Sequence, residues 1–182
     1  MYRAALVVMI VAASSGVASA GGYIGLGIGT SPGISDSTDR AVANSRSAKL
    51  LVGTRMGRIS LEGGFGGFDV LFEDDRQLLR AWGTAYNLTG ALKASLPLGN
   101  NFEAFGRVGL EHAWVSSDDG VNRDESGNGF LLGAGAEYKL DVGLSSASIW
   151  IDYQLNRTSL EGENSHRDIT ARMWTLGFSV GI

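Results

Sequence analysis

Eight times along the chain, apolar residues fall on every second position, the period of strands with two unlike faces. The runs cover 22–30, 46–56, 59–68, 82–96, 102–115, 130–140, 147–156 and 169–182. In the first, Ile24, Leu26 and Ile28 stand against Gly25, Gly27 and Gly29. In the sixth, Phe130, Leu132, Ala134, Ala136 and Tyr138 stand against Leu131, Gly133, Gly135, Glu137 and Lys139. In the last, Trp174, Leu176, Phe178 and Val180 stand against Met173, Thr175, Gly177 and Ser179. After residue 20 no helical apolar period persists, and no long uncharged apolar run occurs. The 27 glycines and two prolines are not linker composition, because the glycines alternate with apolar residues inside these runs.

The connections alternate in length. Residues 31–45, 69–81, 116–127 and 157–168 are long and polar, whereas Gly57-Arg58, 97–101 and 141–146 are short. In an up-and-down sheet every long connection then leaves one end, and both termini sit at the other. An even number of strands with short turns at one end and long loops at the other is the pattern of a transmembrane β-barrel. The expected fold is all-β, an eight-stranded antiparallel up-and-down transmembrane barrel occupying 21–182.

Alternation alone would also suit a soluble barrel whose apolar face points inward around a lipophilic ligand in the periplasm. Three features favour lipid outside. The second face is small and carries balanced charge: Lys49, Arg55, Lys93, Arg107 and Lys139 against Glu62, Glu103, Glu111, Glu137 and Asp152. Paired charges among glycines suit a narrow lumen, where each buried charge needs a partner. The apolar face reads as free of formal charge across all eight runs, with His112 its one titratable member apart from tyrosine. Its aromatics gather toward strand ends: Trp82, Trp114, Phe130, Tyr153 and Trp174 toward the long connections, Phe102, Tyr138 and Phe178 toward the short turns. Two aromatic belts are expected where rings meet both membrane–water boundaries.

The stretches GYIGLGIG (22–29), KLLVGTRMGRISLEGGFGGF (49–68) and LKASLPLGNNFEAFGRVGLEHAW (92–114) resemble the outer-membrane protein A-like barrels, with the small adhesin and opacity-type proteins among them. The resemblance is one of pattern over 21–182. It implies an outer-membrane location and an inward charge cluster, here Arg55, Glu62, Lys93, Arg107, Glu111 and Glu137. It implies outer-membrane lipids, lipopolysaccharide and the barrel-assembly machinery as partners, with a surface ligand reached through the loops. No peptidoglycan-binding domain is expected, so tethering to the cell wall is not implied, and Ile182 stands where such proteins end in an aromatic residue.

Residues 1–20 read as a secretory signal, with Arg3, an apolar stretch from Ala4 to Ala13, and Ala18-Ser19-Ala20 as the cleavage pattern. Without them the net charge is −5, which disfavours nucleic acid as a partner. The absence of cysteine excludes thiol chemistry and disulfides. Two histidines, His112 and His166, do not make a metal cluster, and neither a cofactor nor a metal site is expected. The one arrangement that invites a catalytic reading, an enzyme acting on lipid A, is His112 with Ser116. Four residues along a strand span about 13 Å, far beyond the reach of a general base. No catalytic residue is expected, and the function expected is structural, surface-contact or small-pore, with side chains plugging the lumen.

Overall fold

A computed structural model of the chain describes residues 21–36, 41–43, 45–73, 80–117, 125–141, 146–162 and 165–182. The signal segment expected over 1–20 lies outside the described residues. Each alternating run becomes a strand: β1 (Gly21–Gly29), β4 (Ser47–Met56), β5 (Ile59–Glu73), β6 (Arg80–Gly99), β7 (Phe102–Ser117), β8 (Glu125–Asp141), β9 (Ser146–Gly162) and β10 (Ser165–Gly181). Neighbours in sequence pair antiparallel, and β1 closes the sheet onto β10 from Tyr23↔Gly181 to Gly29↔Thr175. Closure leaves no open edge, which a sheet in hydrocarbon requires because lipid offers no hydrogen bonds.

Two short strands, β2 (Gly33–Asp36) and β3 (Ala41–Ala43), lie within the connection expected as a loop over 31–45. They pair with β10 and β5, above the points where β1 ends and β4 begins. The other long connections are also shorter than the sequence suggests. β5 runs on to Glu73, β8 starts at Glu125, and β9 and β10 carry strand pairing through most of 157–168. There Ser159 Oγ donates to Asp168 Oδ1 at 2.6 Å. The apolar period marks only the stretch with lipid on one side; beyond it the backbone ladder continues without that alternation. The 17 residues of β8, rising about 3.3 Å each at a tilt near 40°, reach about 43 Å, well past about 25 Å of hydrocarbon. β1 and β4, with 9 and 10 residues, barely span it.

The short turns have the backbone they need. Gly57 takes φ +65° at the first central position of its two-residue hairpin turn, as a type II′ turn requires. Asn100 and Asn101 carry φ of 47° and 66° in the next, a region that Asn tolerates better than most residues.

The faces fall as the alternation sets them. Leu26, Val108, Leu110 and Leu132 are exposed on the outside, whereas Phe105, Trp150, Arg107 and Asp152 are buried within. Such a continuous exposed apolar band is a membrane surface rather than a water surface. One expectation needs correction: the outer face is not wholly free of charge. Arg46 and Arg172 have the parity of that face and are exposed on it. Both lie at its long-connection end, where the wall leaves hydrocarbon for the headgroup layer and a charge is tolerated.

Large side chains occupy the middle of the interior. Trp150, almost wholly enclosed, lies over Gly27 and Gly177. A Cβ at Gly27 would come 2.7 Å from the indole Cη2, and one at Gly177 would collide with the ring. Gly177→Ala is therefore expected to destabilise the barrel by about 1–3 kcal/mol, the cost of overpacking a filled interior. Urea unfolding of protein refolded into vesicles measures it; an unchanged midpoint would contradict this packing.

Candidate functional site in the barrel lumen

Inward parity brings charged residues from six of the barrel strands, β4 to β9, into one column. Arg107, near the middle of β7, is 5 % exposed. Its Nε donates to Glu62 Oε2 on β5 at 2.5 Å, and its Nη1 donates to Asp152 Oδ2 on β9. The guanidinium carbon also lies 4.6 Å from the Phe105 ring centroid and 5.5 Å from that of Trp150. One cation thus ties three strands across the lumen, with two aromatic rings packed beside it.

Toward the short-turn end, Lys93 Nζ on β6 donates to Glu137 Oε2 on β8 at 2.5 Å, with Glu62 Oε1 at 3.8 Å. It sits 4.4 Å from the Phe105 centroid. Below it, Arg55 grips Glu103 through two bonds of 2.9 and 3.0 Å, and Lys139 reaches the same carboxylate at 2.6 Å. Glu103 and Glu137 are direct cross-strand partners. Like charges so placed repel, and the three surrounding cations offset that repulsion. A cavity of about 380 Å³, lined by Tyr23, Arg55, Lys93, Glu137 and Lys139 among others, lies at this end.

Toward the long connections amide and hydroxyl side chains join the charged ones. Lys49 Nζ donates to Gln154 Oε1 at 2.5 Å and stands 3.5 Å from Asp152 Oδ2. Gln154 donates to Asn156 Oδ1 at 2.6 Å. Asn156, Thr158 and Asn87 in turn donate to Glu111, the Asn87 bond being 2.9 Å. Above them Ile34, Phe68 and Val115 pack on buried Ala85 and make the top of the lumen apolar.

The seven expected lumen residues, Arg55, Glu62, Lys93, Arg107, Glu111, Glu137 and Asp152, all face inward, but their pairing differs from the simplest reading. Glu111 and Glu137, near Arg107 along β7 and on β8, are not its partners. Arg107 takes Glu62 and Asp152, Glu137 takes Lys93, and the donors to Glu111 among the described residues are neutral. Pairing across a narrow tilted barrel joins strands two or three apart in the wall, and sequence neighbourhood does not report it. Sequence reading also missed Tyr23, whose hydroxyl donates to Glu62 Oε1. Its parity with Gly25, Gly27 and Gly29 already placed it inside. Gln154 and Asn156 share the parity of Asp152 and were legible in the same way.

On the outer face, Phe102 pairs with Tyr138, which shares the neighbour Ile149 with Phe178, so the three form one cross-strand row. Toward the other end Tyr153 and Trp174 lie 5.0 Å apart, Tyr86 and Trp114 6.0 Å apart, and Phe130 is exposed beyond them. The side chain of Trp82 lies outside the described residues. His112 Nδ1 is 2.8 Å from Asn128 Oδ1 and its ring is 5.9 Å from that of Trp114.

A closed antiparallel sheet with an apolar outer face and a column of ion pairs inside defines the class: a small β-barrel of the outer membrane. Residues 3–181 match the outer membrane protein beta-barrel domain, and the chain belongs to that family. Among solved structures it is similar to Neisserial surface protein A, at 12% identity over 87% of this chain and 96% of that one, TM-score 0.67. OprG of Pseudomonas aeruginosa matches at 15% identity over 89% and 96%, TM-score 0.56. Ail, the attachment invasion locus protein of Yersinia pestis, matches at 14% over 90% and 97%, TM-score 0.52. At such identities the likeness is one of fold. No curated protein matches the chain in sequence. The family places the protein in the outer membrane, and the periplasmic carrier reading falls with that.

Proposed function

We propose that the protein is a surface-contact barrel whose long connections face the cell exterior and whose lumen is shut at rest by its ion-pair column. The observation that carries the closed state is Arg107, held between Glu62 and Asp152 from opposite walls and packed on Phe105 and Trp150. Eight strands enclose only enough space for side chains, so an ion needs these pairs to separate first. Two features supply alternative partners. Lys93 lies within 3.8 Å of Glu62 as well as beside Glu137, and Asp152 Oδ1 is buried with no hydrogen-bond partner among the described residues. Opening then proceeds by exchange of partners rather than by exposure of bare charge, which would cost several kcal/mol per ion.

The exterior connections are the part that varies in such scaffolds and reaches partners. The resemblance of the fold to an attachment invasion locus protein supports a contact role without naming a ligand. Lipopolysaccharide and the barrel-assembly machinery complete the proposed partners, and the reading assigns no catalytic role to His112 or Ser116. Planar-bilayer recording tests the closed lumen. The wild-type protein is expected to stay silent or to flicker at a small conductance; a wide, steady, porin-sized conductance would overturn the reading.

A further inference from the structure

Below the Arg107 plug, at the short-turn end, the lumen widens into the cavity of about 380 Å³. Gly57 and Ser146 mark its mouth, and it runs inward to the buried Ser60 and Lys93. Its acceptors are taken, and its donors are not. Glu137 holds Lys93, and Glu103 accepts two bonds from Arg55 and one from Lys139. Glu62, 3.8 Å from Lys93, is occupied by Arg107 and Tyr23. Lys139, with 42 % of its side chain exposed, donates among the described residues to Glu103 alone, and an ammonium carries further N–H groups. Arg55 donates from Nε to Gly57 O and once from each terminal nitrogen to Glu103, which leaves a second N–H on each of those nitrogens. Among the described residues three cations, Arg55, Lys93 and Lys139, therefore stand against two carboxylates, Glu103 and Glu137, an excess of one positive charge. Asp141 has the inward parity of Lys139 one step nearer the turn, and its side chain lies outside the described residues.

We infer that this vestibule binds a small tetrahedral oxyanion, phosphate or sulfate, between Arg55, Lys93 and Lys139. Donors converging from β4, β6 and β8 suit an ion with several acceptor oxygens better than they suit chloride. Ser60, Ser148 and Ser179 keep the rest of the wall polar. One net positive charge beside water holds such an ion weakly, with a Kd on the order of 1 mM. The site goes beyond the closed-lumen reading. Under the orientation proposed above it opens toward the periplasm, but the binding chemistry depends on neither that orientation nor the gate.

The test is the 31P line width of inorganic phosphate added to the protein folded in maltoside micelles, which carry no phosphorus, at constant ionic strength. The line is expected to broaden saturably, to narrow again as sulfate displaces phosphate, and to stay broad when chloride replaces the sulfate. Lys139→Gln should weaken the affinity about tenfold, the scale of one charge-assisted hydrogen bond. Arg58→Gln, exposed in the turn beside Gly57 but outside the cavity wall, should leave it unchanged. Heat-modifiable gel migration verifies that each variant is folded. A folded wild type that broadens no line would overturn the inference, as would equal displacement by chloride or an affinity that Lys139→Gln does not lower more than Arg58→Gln. Micelles expose both ends of the barrel and no conductance is read, so failure here leaves the closed lumen and the orientation standing.

Discussion

Leu132→Arg is expected to cost about 2–4 kcal/mol of folding stability in a bilayer, the scale for a cation on the lipid face near the midplane. Leu132 is 49 % exposed on the outer wall between Val108 and Leu155, its partners on either side. A guanidinium there has neither water nor a carboxylate within reach. The neighbouring change Gly133→Ser points inward. A Cβ at Gly133 would meet Arg107 Cβ and Tyr153 O at 3.5 Å, ordinary contact distance, so its cost should be far smaller. Urea titrations of both variants refolded into vesicles give the comparison. Equal tolerance, or a more damaging Gly133→Ser, would reverse the assignment of faces.

Arg107→Ala is expected to have the largest effect on the lumen. It leaves Glu62 and Asp152, 3 % and 0 % exposed, facing each other across the barrel, with Lys93 and Lys49 as the nearest remaining cations. Removing one side of a buried ion pair costs about 3–5 kcal/mol, because the surviving charges keep their desolvation. Water entering to relieve them also opens a path for ions. Planar-bilayer conductance should therefore rise above wild type while the unfolding midpoint falls. Arg107→Lys, which keeps the charge but loses the two-carboxylate fork, should fall between. A loss of stability with no change in conductance would confine Arg107 to a structural role.

Much of this was legible because a barrel wall in lipid obeys a strict rule. Its outer face must be apolar at every second residue, and that fixed the strands at Ile24–Ile28, Leu50–Met56 and Trp174–Val180, along with the inward parity of Arg107 and Glu62. What lay outside the membrane obeyed no such rule. The pairing of β9 with β10 beyond Thr158, and the strands β2 and β3, are carried by backbone bonds where no lipid-facing alternation marks them. Partner choice in the lumen was hidden for another reason. Parity tells that Glu137 and Arg107 share the interior, but the tilt of the strands decides that Glu137 meets Lys93. Arg46 and Arg172 had the parity of the lipid face all along, and only their height on the wall makes them tolerable there.

The central claim, a barrel that shows its long connections to the outside of the cell, is tested most directly by an epitope inserted after Asp119. That position lies between β7 and β8, outside the described residues. Antibody should bind the epitope on intact cells, with no further gain when the outer membrane is permeabilised. An epitope that stays hidden until permeabilisation, in protein that still fractionates with the outer membrane, would contradict the orientation on which the account rests.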